Sequence, residues 1–288
     1  MATGARAAGF SFRCPRSAWF EEEPELYDQT LVTDSETKLT LTTGGASIDV
    51  DLYSERGLEL VAGLWLKLSA ENRLMYQHTW LGVPIIQLPG DIVAMQELIW
   101  RLRPDFIVEC GFAHGGSAVL YASILELLGK GTVIGVDVEV RAYNRVAIQG
   151  HPLAHRIRIV ESSSTEASTA ERLRRVVAGA AGVLVVLDSN HSREHVRREL
   201  ELYHSLVTAG GYLVVMDGAQ AHVWDTPRGK PEWREDNPLP AIAAFLQAHP
   251  EFSGDAYWTR AHVTSSPHGF LRRRRPEETL MAALGEGE

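Results

Sequence analysis

Apolar positions divide the chain into stretches of different period. From Lys38 they alternate through Leu39 and Leu41, break at Gly44 and Gly45, and resume through Ile48, Val50 and Leu52, the two-residue period of a hairpin. The period then lengthens. Leu58, Val61, Leu64, Trp65 and Leu68 recur at helical spacing, predicting an amphipathic helix whose apolar face must pack on the main domain or on another subunit. From Pro104 onward short apolar strands alternate with helical segments, the pattern of a parallel sheet covered on both faces. Strands are predicted at residues 106–109, 132–137, 156–160, 182–188 and 212–217. Helices fit between them at 117–128, 165–178 and 193–206, closed by Gly129, Gly179 and Gly210-Gly211. A further helix starts near Pro240 with Ile242, Phe245 and Leu246 on its apolar face, and extended segments at 257–263 and 269–272 would supply antiparallel edge strands. Residues 1–37 mix Arg, Gly, Pro and the run Glu21-Glu22-Glu23 without periodicity and read as a loosely ordered arm. The chain therefore reads as an N-terminal arm, hairpin and helix over 1–78, serving as a lid or in oligomer contacts, followed by an α/β domain over 79–288.

Composition narrows the function classes. With 288 residues, 45% of them hydrophobic, the chain can bury one substantial core and a modest accessory region. A net charge of −9 argues against a general nucleic-acid role, because phosphate binding needs a concentrated basic surface. The one basic run, Arg272 to Arg275, leads straight into Pro276, Glu277 and Glu278 and reads as the solvated end of a late strand. Two cysteines, Cys14 and Cys110, make no disulfide framework, and Cys110 lies in an apolar strand pattern that predicts a buried thiol. No apolar stretch is long enough to span a bilayer, and the N-terminus lacks the apolar core of a signal peptide, so a cytoplasmic protein is expected.

The chemistry begins where the first parallel strand ends, in Glu109-Cys110-Gly111-Phe112-Ala113-His114-Gly115-Gly116-Ser117. A strand-to-helix turn at this place in a doubly wound sheet binds ligands: glycines let the backbone approach closely, and the helix N-terminus offers unpaired N–H groups. A pyrophosphate site usually shows G-x-G-x-x-G, whereas this turn carries an acid ahead of its glycines. Glu109 suits a cationic amino group and would repel pyrophosphate, which favours S-adenosylmethionine (SAM) over NAD. At the next strand tip Asp137 can accept hydrogen bonds from both ribose hydroxyls. After the third strand, the hydroxyls of Ser162, Ser163 and Ser164 can bond the adenine edge or simply cap a helix. His114, within the glycine turn, can face the cofactor or the acceptor, or be a satisfied loop histidine.

The fourth strand ends in Asp188-Ser189-Asn190-His191 and the fifth in Met216-Asp217-Gly218, and these tips are neighbours in such a sheet. Asp188 and Asp217 can together hold a divalent cation, with His191 in reach as a general base for a hydroxyl proton. The plainer readings are that Asp188 only supports the cofactor, Asp217 caps a loop and His191 begins a helix. The polar segment 224–237 leaves the fifth strand beside this site, where long loops act as lids.

Several motifs in order resemble the cephalosporin hydroxylase-like family, which includes SAM-dependent O-methyltransferases acting on sugars of antibiotics. They are Trp80-Leu81-Gly82-Val83-Pro84, Gln96-Glu97-Leu98-Ile99, Arg103-Pro104-Asp105, Ala113-His114-Gly115-Gly116-Ser117, Gly135-Val136-Asp137-Val138-Glu139, Asn144-Arg145 and the run from Asp188 to Val196. The resemblance implies a Rossmann-like class I SAM-dependent methyltransferase sheet, with SAM held by Glu109, Gly111, His114, Gly115, Ser117 and Asp137. It also implies magnesium on acids at the two later strand tips, and His191 as the base. Relatives assemble as tetramers or hexamers through N-terminal segments, which makes the helix near 58–68 the candidate for oligomer contacts. They also usually carry Glu-Asp where this chain has Met216-Asp217, and a thioether is a poor magnesium ligand. Weak metal binding through Asp188 and Asp217, catalysis without metal, and different chemistry in the same fold all remain open at this point. The expected function is O-methylation of a small-molecule hydroxyl, on a sugar or polyketide-type intermediate. The alternatives are a nicotinamide-dependent oxidoreductase and a partner subunit that has lost methylation.

Overall fold

A computed structural model of the chain describes residues 30–35, 37–43 and 46–279. They divide into two compact units that meet at Leu58/Glu59. In the first, β1 (Thr30–Ser35), β2 (Lys38–Thr43) and β3 (Ala46–Asp51) form an antiparallel three-stranded sheet. The predicted hairpin is β2 with β3: Leu39 lies opposite Val50 and Leu41 opposite Ile48. Gly44 and Gly45, where the pattern breaks, lie outside the described residues, as do residues 1–29. The expected loose arm is corrected at its end, where Thr30–Ser35 pairs with β2. Thr30, Val32 and Thr33 favour an extended backbone, and the exposed edge of β2 supplies the missing partner.

Helix α1 (Glu55–Glu71) crosses the boundary between the units. Its inward residues are the small Ala62 and Ser69, whereas Leu58, Val61, Trp65 and Leu68 are each 40–54% exposed. These four side chains thus keep much of their apolar surface open to solvent.

The second unit continues with a ribbon of β4 (Thr79–Trp80) and β5 (Val83–Pro84). Leu81 and Gly82 between them both adopt positive φ, as a two-residue hairpin turn requires. The remaining elements are α2 (Pro89–Leu102), β6 (Phe106–Cys110), α3 (Gly116–Leu128), β7 (Thr132–Asp137), α4 (Ala142–Gln149), β8 (Ile157–Glu161), α5 (Ala167–Val176), β9 (Val183–Leu187), α6 (Arg193–Tyr203), β10 (Tyr212–Val215), α7 (Gln220–Val223), α8 (Pro238–Ala248), β11 (Phe252–Gly254) and β12 (Phe270–Arg273). They build a seven-stranded sheet in the order β11-β12-β10-β9-β6-β7-β8. Strands β6 to β10 run parallel, and β12 is antiparallel to both of its neighbours. This is the sheet that the family resemblance implies. Successive strand residues feed opposite cores, so Ile107, Val133 and Leu184 join α2 and α3 on one face. Val108, Ile134 and Val185 join α5, α6 and α8 on the other. Among the described residues no helix is long and apolar enough to cross a membrane.

Three sequence expectations need correction. Residues 257–263 are not a strand: Asp255 accepts a hydrogen bond from Tyr257 N, opening a short 3-10 turn, Ala256–Thr259, that buries Trp258 against Tyr212 and Phe270. The edge strand is the preceding Phe252–Gly254. The arginine run is more than a solvated strand end, since Arg272 pairs with Glu278, and Arg273 and Arg274 donate to the Val207 and Pro250 carbonyls. Helices α2 and α4 were not anticipated. α2 carries Ile92, Met95, Leu98, Ile99 and Leu102 at helical spacing behind Pro89. α4 is eight polar-rich residues, too short for the period to show.

Candidate functional site

Strand order reverses at β6, whose neighbours are β7 on one side and β9 on the other, so the carboxyl ends of these strands open a crevice there. Asp188 N donates to Cys110 O at 2.7 Å, drawing the two strand tips together. Gly111 sits in the contact at φ 95°, and a Cβ on it would stand 2.0 Å from the Asp188 carbonyl oxygen. Gly111→Ala is expected to cost roughly 3 kcal/mol or more in chemical denaturation. Gly129 has φ 71° but open space around its Cβ position, so Gly129→Ala should cost only about 1 kcal/mol. Equal losses at the two positions would mean that backbone strain, rather than the Asp188 contact, sets the requirement.

Glu109 is fully buried at the end of β6, and neither carboxylate oxygen has a hydrogen-bond partner of ordinary geometry. Burial pushes its carboxyl up to about 8; the nearby Ser117 hydroxyl opposes this in part, and Asp137 adds to it. Asp137 Oδ2 accepts from Phe112 N at 2.8 Å and Ala113 N at 3.3 Å, and Oδ1 accepts from Glu139 N at 3.2 Å. It thereby shapes the glycine turn, and a carboxylate retains lone pairs for further donors. Asn144 donates to Ala113 O at 2.8 Å and lies 3.5 Å from His114 Nδ1, which explains why an asparagine of α4 belongs with the turn. Gly115 caps α3 at φ 85°. Gly116 follows because a Cβ there would stand 2.2 Å from Pro84 O, so the β4–β5 ribbon closes over the start of α3. Ser163 is engaged locally, its hydroxyl 2.9 Å from that of Thr165 and accepting Thr165 N.

On the other side of the crevice, one ligand atom each from Asp188, His191 and Asp217 lies within 4.8 Å of the others. His191 Nε2 is 3.0 Å from Asp217 Oδ2. A carboxylate only accepts, so Nε2 carries the proton and Nδ1 holds the free lone pair. Asp217 reaches this position through a left-handed backbone, φ 58°, that turns the chain directly after β10. Asp188 keeps some solvent access, yet protein surrounds it closely. Burial raises its carboxyl well above the usual range, and Asp217, Glu109, Glu199 and Asp91 add to the rise. Met216 contributes no ligand: it is 2% exposed, packed in the core, with its sulfur accepting the Ser266 hydroxyl.

A polar network that the sequence reading did not single out holds the β9–α6 turn. Ser189 donates to Glu199 Oε1 at 2.6 Å, so its oxygen accepts from His195 Nε2 at 2.9 Å. Glu199 is fully buried, and its Oε2 has no partner. The signal was present, because Val196, Leu200 and Tyr203 form the buried stripe of α6 and Glu199 falls on the same stripe. The segment 224–237 is tied down rather than open: Lys67 pairs with Asp225, Arg228 bonds Glu71, and Asp236 Oδ1 accepts from Arg193 N at the start of α6.

Comparison with known proteins bears on the family and the fold. The family model described as Rhamnosyl O-methyltransferase/CmcI matches residues 72–274. A rhamnosyl O-methyltransferase of Mycobacterium bovis is 33% identical over 211 residues, covering 70% of this chain and 80% of that protein. Its counterpart in Mycobacterium leprae is 34% identical over 203 residues, covering 68% and 83%. A solved structure of CmcI with Mg and SAM shares the fold, with a TM-score of 0.51 at 20% identity over 69% of this chain and 78% of that one. The chain belongs to the Rhamnosyl O-methyltransferase/CmcI family.

Proposed function

We propose that this protein is a SAM-dependent O-methyltransferase whose acceptor is a sugar hydroxyl on a small-molecule natural product. The observation that carries the reading is the cluster of buried acids in the crevice. Glu109 and Asp188 converge there with Asp217, Glu199 and Asp91 contributing to the same negative field, and both oxygens of buried Glu109 lack a partner. An unpaired buried carboxylate is costly, and a cationic ligand relieves it. SAM fits, through its ammonium and sulfonium centres; the pyrophosphate of NAD does not.

Bound there, SAM supplies an electrophilic methyl group on a cationic sulfur. Glu109 receives the ammonium group, Asp137 the ribose hydroxyls, and Gly111, His114, Gly115, Ser117 and Ser163 line the remainder of the cofactor side. Asp188 faces the reacting centre. His191 takes the acceptor hydroxyl proton at Nδ1, while Asp217 holds its Nε2–H and stabilises the imidazolium that forms. Asp188 and Asp217 also offer two hard oxygens to Mg2+, with water completing the shell. Met216 adds none, and a cation on Asp217 competes with the His191 hydrogen bond already present. The enzyme reads as a cytoplasmic homo-oligomer of antibiotic-type biosynthesis, with the exposed α1 stripe as its subunit contact.

The test is transfer of an isotope-labelled methyl group from SAM to a panel of rhamnosides and other glycosides. Label on a sugar hydroxyl is expected, with activity falling less than about tenfold in EDTA, because the His191–Asp217 dyad forms without metal. Complete loss in EDTA, restored by Mg2+, would assign Asp188 and Asp217 to a metal instead. Tight binding of S-adenosylhomocysteine with no label on any glycoside would overturn the acceptor class.

A further inference from the structure

The turn that carries Asp217 is held from outside the crevice. Asp217 adopts φ 58°, a left-handed backbone that a non-glycine residue keeps only where its surroundings fix it. The loop leading into β12, residues 263–269, supplies that hold on both sides of it. Gly269 O accepts from Val215 N at 2.8 Å and Ser265 O accepts from Ala219 N at 3.0 Å, while the Ser266 hydroxyl donates to the Met216 sulfur at 3.3 Å. Pro267 O stands 3.1 Å from where a Cβ on Gly218 would lie, so the loop also follows the backbone just past Asp217.

A buried side chain of α2 anchors that loop. Asp91 lies in the first turn of the helix, and its Oδ2 accepts from both Ser265 N and Ser265 Oγ at 2.8 Å. Its Oδ1 accepts from the Thr264 hydroxyl, whose oxygen accepts in turn from Ser266 N at 3.0 Å. The carboxyl group therefore fixes three consecutive residues, and the middle one, Ser265, receives the amide two residues past Asp217. A first-turn acid favours a helix from the surface as well. Burying one is costly unless its oxygens are bonded, and here the donors come from the remote loop.

We propose that Asp91 is a positioning residue for methyl transfer: through Ser265 it sets the turn that presents Asp217 to His191. This rests on the methyl-transfer reading above, to which it adds a residue that acts only through others. The contact between Asp217 Oδ2 and His191 Nε2 spans 3.0 Å, so a displacement of about 1 Å breaks it. Misplacement of that size costs up to roughly 100-fold in rate.

The test combines labelled-methyl turnover, counted per S-adenosylhomocysteine site, with hydrogen–deuterium exchange of the protein alone. Asp91→Ala should lower kcat by about tenfold or more and leave S-adenosylhomocysteine affinity within about twofold. It should also speed exchange in peptides spanning 216–219 and leave 109–117 unchanged. In an Asp217→Ala background the same substitution should cost less than about threefold, because the carboxylate it serves is gone. Asp91→Asn removes the charge but keeps an oxygen for Ser265, and should lose several-fold less than Asp91→Ala. Should Asp91→Ala fail to fold, Thr264→Val removes one of the three bonds and should show the same pattern at smaller size. Unchanged kcat, an undiminished loss in the Asp217→Ala background, equal losses in the Asn and Ala variants, or exchange over 216–219 as slow as in wild type would each overturn the positioning role. A wild type without methyl transfer would overturn the reading on which it rests, and the exchange result would then decide alone whether Asp91 holds the turn.

Discussion

Replacing His191 with alanine lowers turnover by roughly 100- to 10,000-fold, the span over which a positioned base contributes, while S-adenosylhomocysteine binds as before. His191 stands on the β9–α6 turn, 3.0 Å from Asp217 Oδ2, on the side of the crevice proposed for the acceptor. The residues assigned to the cofactor lie at the β6, β7 and β8 tips and the turns that follow them, so removing the imidazole leaves them in place. Asp217→Asn gives a smaller loss, because an amide oxygen still accepts the Nε2–H but no longer stabilises imidazolium by charge. Rates for both variants under saturating SAM, with binding measured separately, check the expectation. Unchanged turnover in His191→Ala would remove the base assignment and leave direct attack by a pre-ionised or metal-bound hydroxyl.

The second large effect is at Glu109. Glu109→Gln keeps the shape of the side chain and removes its charge, so affinity for S-adenosylhomocysteine should fall by about 10- to 100-fold, as expected for a charged hydrogen bond lost in a buried site. Stability moves the other way. A carboxyl whose pKa rises from 4.5 to about 8 on folding holds a proton that the unfolded chain has released. Stability of the wild-type apo protein therefore falls as pH rises from about 4.5 to 8, and levels off above. The glutamine variant lacks this slope, so its advantage over wild type should be larger at pH 8 than at pH 5 in urea unfolding. Weaker binding with greater alkaline stability would mark Glu109 as a residue kept for the ligand at the expense of the fold. Equal affinity would show that the ammonium group lies elsewhere.

Much of this architecture was legible in the sequence because the parallel strands are mostly apolar and end at or near acids. Each of the five strands was placed within two residues, and the acids Asp137, Asp188 and Asp217 emerge at their tips as read. What stayed hidden depends on contacts distant in sequence. Gly111 reads as an opening for a ligand, yet its first requirement is the Asp188 carbonyl 2.0 Å from its Cβ position. Asp137 reads as a ribose ligand, and it also braces the Phe112 and Ala113 amides. Residues 257–263 looked extended because aromatic residues favour strands, but Trp258 is buried more fully by a 3-10 turn against Phe270. The departure at Met216 was visible in sequence, and the structure gives its consequence: a core side chain bonded to Ser266 rather than a ligand.

The central claim is that the crevice is built for the cationic cofactor, and calorimetric titration with S-adenosylhomocysteine at pH 6, 7 and 8, with NAD as control, tests it most directly. The account predicts saturable binding that strengthens with pH toward about 8, by up to tenfold per unit, with proton release as Glu109 ionises, and no binding of NAD. Binding of NAD without S-adenosylhomocysteine, or S-adenosylhomocysteine binding that weakens as pH rises over this range, would contradict it.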